Sequence, residues 1–445
     1  MKQTVELVAV SREVSKESTH EEIRHDQLLI AGKAAGICYM PDDYFSKAIN
    51  DDEKSIKRSL RNADSGHYSV FEHGHATFVI NTSKMMAMIL NSLNLYSTSE
   101  KSARYTAMNP ETELEKQMYT KWKDIYVKLI SPFYDTKLSN KEIEKLAMEN
   151  ARYMISVFTP TVLEYTVPYG RMILTCGWLY SLSDTINIYV NKCPGIFPNI
   201  SKYYFFYNRV AKECVELADE ISKVLGITKN DHILEDHKRI GISFFRTFGI
   251  LYKTYMNTED SVSNLKKTNS SFDKEEYFGD VYISKYKASF AELAQAERHR
   301  TLHYTMELPD KLIPYIPKII RGTSYEMDWI NDFNELIANK IVPQSTLLDI
   351  EEEGRFPDFV LKCKERLCSR AQLEIMEITR DQVEKFAYHM GHLSFENRYM
   401  LEDMIIRPKD SKDDIIIKAR CAFQGYICKE PCKIVNEKIN YYRNA

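Results

Sequence analysis

Two hydrophobic patterns alternate along the chain, one typical of strands and one typical of helices. Apolar and polar residues alternate at residues 1–16, 75–81 and 279–284, as in strands with one buried face. Elsewhere, apolar residues recur at intervals of three and four and predict amphipathic helices. These helices are expected at residues 21–37, 43–62, 83–95, 111–129, 140–158, 172–190, 204–225, 236–255, 289–304, 325–339 and 357–390.

The pattern starts again after a polar cluster that follows residue 225. In each half a strand precedes an arginine-bearing helix, a long loop and two further helices. Both strands and helices are therefore expected in each half. The repeated order suggests two domains, residues 1–227 and 228–445, although many α+β proteins would satisfy it.

Charge and hydropathy exclude several classes of partner. The 445 residues include 60 Lys and Arg against 63 Asp and Glu, so no overall field attracts nucleic acid or an anionic membrane. No stretch approaches the roughly 18 consecutive apolar residues of a spanning helix, and the start lacks the apolar core of a signal peptide. We therefore expect a cytoplasmic protein that binds neither nucleic acid nor membrane.

The nine cysteines are an odd number and are scattered over a long chain, which argues against a disulfide scaffold. Cys421, Cys428 and Cys432 lie near His389 and His392 in sequence, so a structural zinc site is one interpretation. Their spacing is not the paired C-x-x-C of a zinc ribbon. Ordinary reduced cysteines and no metal are the preferred interpretation.

A basic motif in the second half suggests anion binding. Gln295 and Arg298 are three residues apart in a predicted helix, so they share a face, and His299 and Arg300 follow directly. An arginine offers a planar fork that suits phosphate. Taken alone, the motif is also explained by a solvated basic patch at a helix end.

A second motif, Ser97-Thr-Ser-Glu-Lys-Ser102-Ala-Arg104, lies in the first half. Ser102 and Arg104 are two residues apart, so in an extended segment a hydroxyl and a guanidinium point to the same side. Taken alone, this motif is also explained by a polar loop after a helix.

Together the two motifs resemble the fingerprint of the flavin-dependent thymidylate synthases. That fingerprint is R-H-R-x-x-S-x-x-x-x-S-x-R, with a glutamine three residues before its first arginine. The first half keeps the tail of the fingerprint, and the second half keeps its head. The matching residues are Ser97, Ser102 and Arg104 for the tail, and Gln295, Arg298, His299 and Arg300 for the head.

Flanking segments extend the resemblance. Residues 67–73 are similar to the family's H-x-x-P-F-E-H loop, with Val70 in place of the proline. Arg152 stands in a segment similar to that of a phosphate-binding arginine. Residues 366–375 are similar to the family's R-x-x-S-H-A-Q-x-E-I segment, whose arginine contacts the nucleotide base. The family's flavin-binding N-A-R segment is matched in neither half.

The distribution of the matches implies a fused pair with one composite nucleotide site. In the family each nucleotide site is built by two subunits of a homotetramer. The second half keeps one subunit's contribution, and the first half keeps the partner's. The resemblance implies an α+β fold, built as two tandem copies of the family fold, which is helix-rich with a small mixed sheet. The two copies would form a pseudo-dimer, and two chains would complete a homodimer equivalent to the tetramer. The two sets are Gln295, Arg298 and Arg366, and Ser102, Arg104 and Arg152.

The resemblance implies an FAD-dependent enzyme that methylates C5 of dUMP to dTMP with methylenetetrahydrofolate and NADPH. The two arginine sets would bind the nucleotide, and Arg366 would be catalytic, stabilising charge on the pyrimidine. Two alternatives stay open: another C5 modification, such as hydroxymethylation, of a pyrimidine nucleotide, and a non-catalytic nucleotide-binding paralogue. The residues expected to contact the flavin are His67, Ser69, Glu72, Glu100, Arg298, His299 and Arg300.

Overall fold

The computed structural model describes residues 19–36, 51–64, 68–93, 96–103, 106–134, 138–188, 190, 202–227, 275–407, 415–428, 435–436 and 440–441. The chain forms two compact units, each built from segments that are distant in sequence. The first unit comprises Met1–Thr82, Leu95–Glu100 and Val162–Phe244, and the second comprises Ser83–Asn94, Lys101–Thr161 and Phe245–Ala445. The domain boundary predicted at residue 227 stays a prediction.

The described residues form an α+β fold, as predicted. The helices are α1 (His20–Gly36), α2 (Asp52–Asp64), α3 (Lys84–Asn91), α4 (Glu113–Tyr134), α5 (Asn140–Ala151), α6 (Tyr169–Asn187), α7 (Tyr204–Leu225), α8 (Phe290–Ala296), α9 (Ser324–Ala338), α10 (Phe356–Arg366), α11 (Leu373–Tyr388) and α12 (Phe395–Met404). The strands are β1 (His75–Ser83), β2 (Ser97–Glu100), β3 (Pro160–Pro168), β4 (Tyr277–Phe278), β5 (Val281–Ser289), β6 (His303–Glu307), β7 (Leu347–Arg355), β8 (Ile405–Ile406), β9 (Ile416–Ile417), β10 (Val435–Asn436) and β11 (Asn440–Tyr441). Short 3₁₀ turns cover Tyr68–Glu72, Arg152–Met154, Met390–His392 and Arg420–Ala422. None of the helices in these described ranges is long and apolar enough to cross a membrane.

Two sheets have the same construction. The first has the order β1-β3-β2, and the second has the order β4-β5-β7-β6. Strands β1 and β5 are each nine residues long, as are β3 and β7. Ser97 lies opposite Thr166 in the first sheet, and His303 lies opposite Glu353 at the equivalent place in the second. Strand order, length and register therefore repeat between the halves.

The four-stranded sheet is antiparallel at every pairing, so the expectation of a mixed sheet is wrong for it. Strand β7 lies between β5 and β6 and runs opposite to both. Strands β5 and β6 are therefore parallel to each other but are never adjacent. The short connection that contains α8 carries the chain across β7 rather than to a neighbouring parallel strand.

In both halves a serine lies where a strand ends and the following helix begins. Ser83 ends β1, and its side chain accepts a hydrogen bond from Met86 N–H at 3.2 Å. Ser289 ends β5 and accepts from Glu292 N–H at 3.1 Å. A serine at this position satisfies one of the N–H groups that a helix start leaves unpaired. Each serine therefore fixes where its helix begins.

Equivalent segments of the two halves pair with each other inside the second unit. Ser156 and Pro343, each four residues before its strand β3 or β7, form an antiparallel bridge. Val157 N–H donates to Val342 O at 3.0 Å, and Gln344 N–H donates to Ile155 O at 2.8 Å. A patch that meets its own equivalent is the geometry of a two-fold interface.

Aromatic rings from both halves form a core beside this pairing. Trp122 of α4 meets Trp329 of α9 edge to face, with ring centroids 4.6 Å apart. The indole N–H of Trp122 donates to Asp332 Oδ2 at 2.7 Å, and Lys121 Nζ donates to the same oxygen at 2.6 Å. Burial of such large rings, with their polar atoms bonded, is a major stabilising contribution to a core.

The helix predicted for residues 289–304 is wrong beyond Ala296. His299 N–H donates to Ala296 O, and Leu302 N–H donates to His299 O, each at 2.9 Å, which are turn bonds over three residues. From His303 the chain is a strand, because pairing with β7 buries alternate residues and overrides local helix propensity. The Arg298–Arg300 motif therefore lies in a turn between a helix and a strand.

The single helix predicted for residues 357–390 is two helices. Helix α10 ends at Arg366, and α11 begins at Leu373. Between them, Cys368 N–H donates to Arg366 O at 2.7 Å, and Ala371 N–H donates to Cys368 O at 2.8 Å. The helical spacing of apolar residues continues across this turn, so it does not reveal the break. The break places Arg366 at a helix end.

Candidate nucleotide-binding site

Arg152 lies in the 3₁₀ turn that follows α5, rather than in the helix predicted for residues 140–158. Its side chain is buried, with the residue 6% exposed. The guanidinium Nη2 donates to Gln372 Oε1 at 2.6 Å. The arginine thus comes from the first half of the sequence, and the group that holds it comes from the second. Both belong to the second unit.

Glu374 is the centre of the network around Arg152. Tyr153 Oη donates to Glu374 Oε2 at 2.7 Å, and Gln372 Nε2 donates to Tyr153 Oη. The other partner is Ser289, whose N–H and hydroxyl donate to the two Glu374 oxygens at 2.8 and 2.6 Å. Burial raises the pKa of Glu374, and the hydrogen bonds from Ser289 and Tyr153 oppose that shift.

This network joins three segments that are far apart in sequence. It runs from Arg152 through Gln372, Tyr153 and Glu374 to Ser289, which caps the start of α8. Helix α8 carries the glutamine of the basic motif. The network therefore fixes the first-half arginine relative to the second-half helix.

Arg366 is held by the turn that follows α8. Its Nε donates to His299 Nε2 at 2.8 Å, and its Nη2 donates to Gln295 O at 3.1 Å. Glu365 Oε2 lies 3.7 Å from the same Nη2, but that side chain is 62% exposed, so water screens the pair. The guanidinium is consequently fixed by the neutral acceptors more than by the carboxylate.

His299 is buried beneath Arg366. Burial, reinforced by Arg366 and then Lys362, lowers the pKa of His299 to about 2. The imidazole is therefore neutral at physiological pH. Because its Nε2 accepts from Arg366, the ring proton belongs on Nδ1.

Gln295 and Arg298 lie on either side of the end of α8. Gln295 Nε2 donates to Ala291 O at 3.2 Å, while its Oε1 is buried without a hydrogen-bond partner among the described residues. Arg298 is half-buried, and its N–H donates to Gln295 O at 3.3 Å. A buried amide oxygen of this kind is suited to a donor on a ligand.

Ser102 also belongs to the second unit. It is half-buried, and its carbonyl accepts from Thr106 N–H and Oγ1 at 3.1 and 2.7 Å. The shared direction of the Ser102 and Arg104 side chains stays a prediction. Lys84 of α3 donates from Nζ to the carbonyl of the preceding Lys101 at 3.0 Å. Arg104 lies outside the described residues.

The residues expected at the flavin are distributed over both units. In the first unit Ser69 is exposed, Glu100 is half-buried, and Glu72 forms an ion pair with Arg171 at 2.6 Å. His67 lies outside the described residues. In the second unit Arg300 is exposed, whereas His299 is buried.

Sequence analysis did not find a buried charged cluster that lies beside the candidate nucleotide-binding residues. Lys362 and Glu352 are both fully buried, and Lys362 Nζ lies 2.5 Å from Glu352 Oε2. Tyr282 and Tyr286 donate to the Glu352 oxygens at 2.6 and 2.9 Å. Glu292 is also fully buried, and its pKa is raised to about 8. Nothing in the periodicity distinguishes these charges from a solvated face.

Gln372 received no role from the sequence, and Glu374 was suggested only as an alternative ion-pair partner of Arg366, although the 366–375 motif contains both. The sequence signal that would have found them is an amide residue, Gln372, followed two positions later by a carboxylate, Glu374, at the start of a helix. Their partners Tyr153 and Ser289 lie in other segments, so only the fold identifies them.

The buried cysteines have no features of nucleophiles. Burial raises the pKa of Cys176 to about 11 and the pKa of Cys214 and Cys363 well above its usual range. Cys421 packs against a small apolar cluster that contains Ala419. Cys432 lies outside the described residues.

The histidines considered as zinc ligands are engaged in ring stacking. His389 stacks on Phe278, and His392 stacks on Tyr277, with ring centroids 6.0 and 5.5 Å apart. Within the described residues, no group of three or more His, Cys, Asp and Glu side chains is arranged to hold a metal ion.

Comparison with known families supports the resemblance seen in the motifs. Residues 21–168 match the family model of the thymidylate synthase complementing protein. The match contains the 67–73 loop, Ser102, Arg104 and Arg152. A comparison with curated protein sequences finds no match. Residues 21–168 are therefore similar to the thymidylate synthase complementing protein family, in line with the α+β architecture and with the resemblance carried by the motifs.

Proposed function

We propose that this chain methylates C5 of dUMP to give dTMP, with FAD, methylenetetrahydrofolate and NADPH. The reaction would take place at one nucleotide site built from both halves of the chain. The observation that carries the proposal is the hydrogen-bonded network from Arg152 through Glu374 to Ser289. It fixes a first-half arginine against the helix that bears the second-half motif, as the composite site requires.

The nucleotide phosphate would be bound by arginines from both halves. Arg152 and Arg298 supply planar guanidinium groups, and Arg104 and Ser102 would add a third guanidinium and a hydroxyl. Gln295 would orient the nucleotide through its buried amide oxygen. These contacts are equally strong in the ground and transition states, so they contribute mainly to binding.

Arg366 would act on the pyrimidine ring. Negative charge develops on the ring as C5 is activated, and a guanidinium held beside it stabilises that charge. The side chain of Arg366 is only 11% exposed, so water screens it weakly. Its hydrogen bonds to His299 and Gln295 fix it in advance.

The donor set of the turn after α8 fits part of a flavin dinucleotide. Arg300 is exposed in this turn and would bind the diphosphate, and a flavin contact of Arg298 stays a prediction beside its role at the nucleotide phosphate. When bound, FAD supplies the reducing equivalents that turn the transferred carbon into a methyl group. Ser69, Glu72 and Glu100 stay predictions for the same cofactor, as does His67. His299 does not fit a flavin contact, because it is buried and bonded to Arg366.

We also infer that the chain arose by tandem duplication and acts as a pseudo-dimer. Support comes from the repeated strand order, lengths and register of the two sheets. The bridge between the equivalent residues Ser156 and Pro343 adds the geometry of a two-fold axis. Two chains would then form a homodimer equivalent to the family's tetramer.

One observation favours a non-catalytic nucleotide-binding protein as a second candidate. His299, part of the flavin fingerprint, is buried and bonded to Arg366 rather than open to a cofactor. A chain that had lost flavin would keep the nucleotide site and lose turnover. Modification of C5 by another one-carbon group is the remaining alternative.

The absorption spectrum of the purified protein, recorded with and without dUMP, tests the proposal. We expect flavin bands that change on addition of dUMP and a flavin released on denaturation. Chromatography after incubation with dUMP, methylenetetrahydrofolate and NADPH should then show dTMP. A colourless protein that binds dUMP without turnover would establish the second candidate. A hydroxymethylated product would establish the other C5 reaction.

A further inference from the structure

We infer that His299 is a positioning residue for Arg366, because its ring nitrogen accepts a hydrogen bond from the guanidinium and fixes the direction in which that group meets a pyrimidine. The inference rests on the proposed function, since it deepens the role of the same site. It moves His299 from the cofactor set to the substrate set.

Two separate segments make this contact. Arg366 is the last residue of α10, and His299 lies in the turn between α8 and β6. The bond from Arg366 Nε to His299 Nε2 is 2.8 Å, and the bond from Arg366 Nη2 to Gln295 O is 3.1 Å. Two donors of one planar group are thus fixed by acceptors at the end of α8 and in the turn that follows it, which sets both the position and the plane of the guanidinium.

Only a neutral histidine can do this. A protonated imidazole has no acceptor and would repel the guanidinium. Burial, Arg366 and Lys362 keep the pKa of His299 at about 2, so the acceptor persists throughout the physiological range. The carboxylate of Glu365 lies 3.9 Å from His299 Nε2 and its side chain is 62% exposed, so it does not favour protonation strongly.

Fixing an arginine in advance has a measurable effect on recognition. A free arginine side chain has many rotamers, and ordering it on binding reduces affinity. An acceptor that already holds the Arg366 guanidinium removes this ordering cost from recognition of the pyrimidine. Recognition of the phosphate does not use Arg366 and is unaffected. The loss of His299 should therefore weaken base recognition selectively.

Calorimetric titration with dUMP and with 2′-deoxyribose 5-phosphate separates recognition of the base from recognition of the phosphate. We expect His299→Leu to weaken dUMP binding about tenfold, which is equivalent to one hydrogen bond to a charged group. The affinity for the sugar phosphate should change by no more than about twofold. Arg366→Ala should give a similar loss, and the double variant should lose little more. His303→Leu, a change of an exposed histidine nearby, is the control and should alter neither ligand.

Two further variants keep the test valid if His299→Leu does not fold. His299→Gln keeps an acceptor near the Nε2 position, whereas His299→Asn is too short to reach Arg366. Binding of dUMP should be kept by the first and weakened by the second. Equal affinities for these two, additive losses in the double variant, or an equal loss for both ligands would overturn the inference. A parent protein that binds no dUMP would instead overturn the proposed function.

Discussion

Tyr153 and Glu374 join the two halves of the sequence through a buried hydrogen bond of 2.7 Å. Tyr153 directly follows the phosphate arginine candidate Arg152, and Glu374 accepts at the same time from the serine that starts α8. The Tyr153 hydroxyl also accepts a hydrogen bond from Gln372, whose side-chain oxygen in turn accepts one from Arg152. One phenol thus keeps an arginine, an amide and a carboxylate in fixed relation.

Removal of this hydroxyl should weaken both the fold and the nucleotide site. We expect Tyr153→Phe to lower the free energy of unfolding by about 1–3 kcal/mol, because it leaves buried polar partners unsatisfied. Binding of dUMP should weaken as well, since Arg152 loses its support. Urea unfolding and calorimetric titration measure the two effects.

The matched control is Tyr126→Phe. Tyr126 is equally buried, but its hydroxyl has no hydrogen-bond partner in the part of the chain that is described. Its removal should leave the free energy of unfolding unchanged or slightly higher. An equal loss of stability in the two variants would contradict the role given to Tyr153.

The distribution of arginines predicts one nucleotide per chain. Only one composite set is complete: the positions equivalent to Arg152 and Arg366 in the opposite halves are Asn339 and Leu179. Calorimetric titration with dUMP should saturate near one equivalent. Two equal sites per chain would refute the composite-site account.

Arg366 should matter more for turnover than for binding. Charge on the pyrimidine develops only during C5 activation, so a fixed guanidinium can lower the barrier by roughly 3–4 kcal/mol. Arg366→Lys keeps the charge but loses the planar fork that meets His299 and Gln295. We expect kcat to fall by a larger factor than dUMP affinity, which should weaken by no more than the roughly tenfold loss expected for His299→Leu. Steady-state kinetics and calorimetry measure the two effects. A folded variant with parental turnover would show that the role is wrong.

Because the pKa of Glu292 is raised in the folded protein, we expect stability to fall as the pH rises from about 4.5 to about 8. Its carboxylate oxygens are buried without hydrogen-bond partners among the described residues. Burial raises its pKa to about 8; Lys362 opposes this shift, whereas Glu374 and Glu352 add to it. The folded protein therefore holds a proton that the unfolded chain has released. Its contribution is fully present below pH 4.5 and is lost as the pH rises through about 8.

The window from about pH 6.5 to 8 isolates this effect. His299, whose pKa is lowered to about 2, makes stability fall only as the pH drops below its ordinary value of 6.5. Between the two limits, Glu292 should lower the free energy of unfolding by up to about 1.4 kcal/mol per pH unit. Glu292→Gln should remove this contribution and leave only that of Glu374, whose pKa burial also raises. Urea titrations at several pH values measure this slope. The exposed Glu335→Gln should keep it; the parental slope in Glu292→Gln would contradict the assignment.

The motifs that define the candidate site could be recognised in the sequence because each is a short contiguous segment. The tail at Ser102, the head at Gln295 and the late Arg366 are short strings whose residue types suit anions at any backbone geometry. The resemblance to the flavin-dependent thymidylate synthases followed from the same strings, and that resemblance implied the α+β class. Helix α7 was predicted within its observed bounds, because its apolar spacing is regular throughout.

The acidic strand β7 was not predicted, because its Asp-Ile-Glu-Glu-Glu sequence has little strand propensity. It is a strand because β5 and β6 pair with it on both sides, and Glu352 is tolerated inside because Lys362, Tyr282 and Tyr286 bond to it. These partners are non-local, so no window of sequence contains them.

The sequence by itself therefore determined which residue types are available for a nucleotide and in which half each stands. Only the tertiary structure decided which of them support one another: Gln372 with Arg152, His299 with Arg366, and Glu374 with Tyr153. The physical reason is that a hydrogen bond between side chains depends on distances of about 3 Å, whereas sequence spacing fixes direction only within one helix or strand. Beyond a single element, the packing of the fold sets these distances.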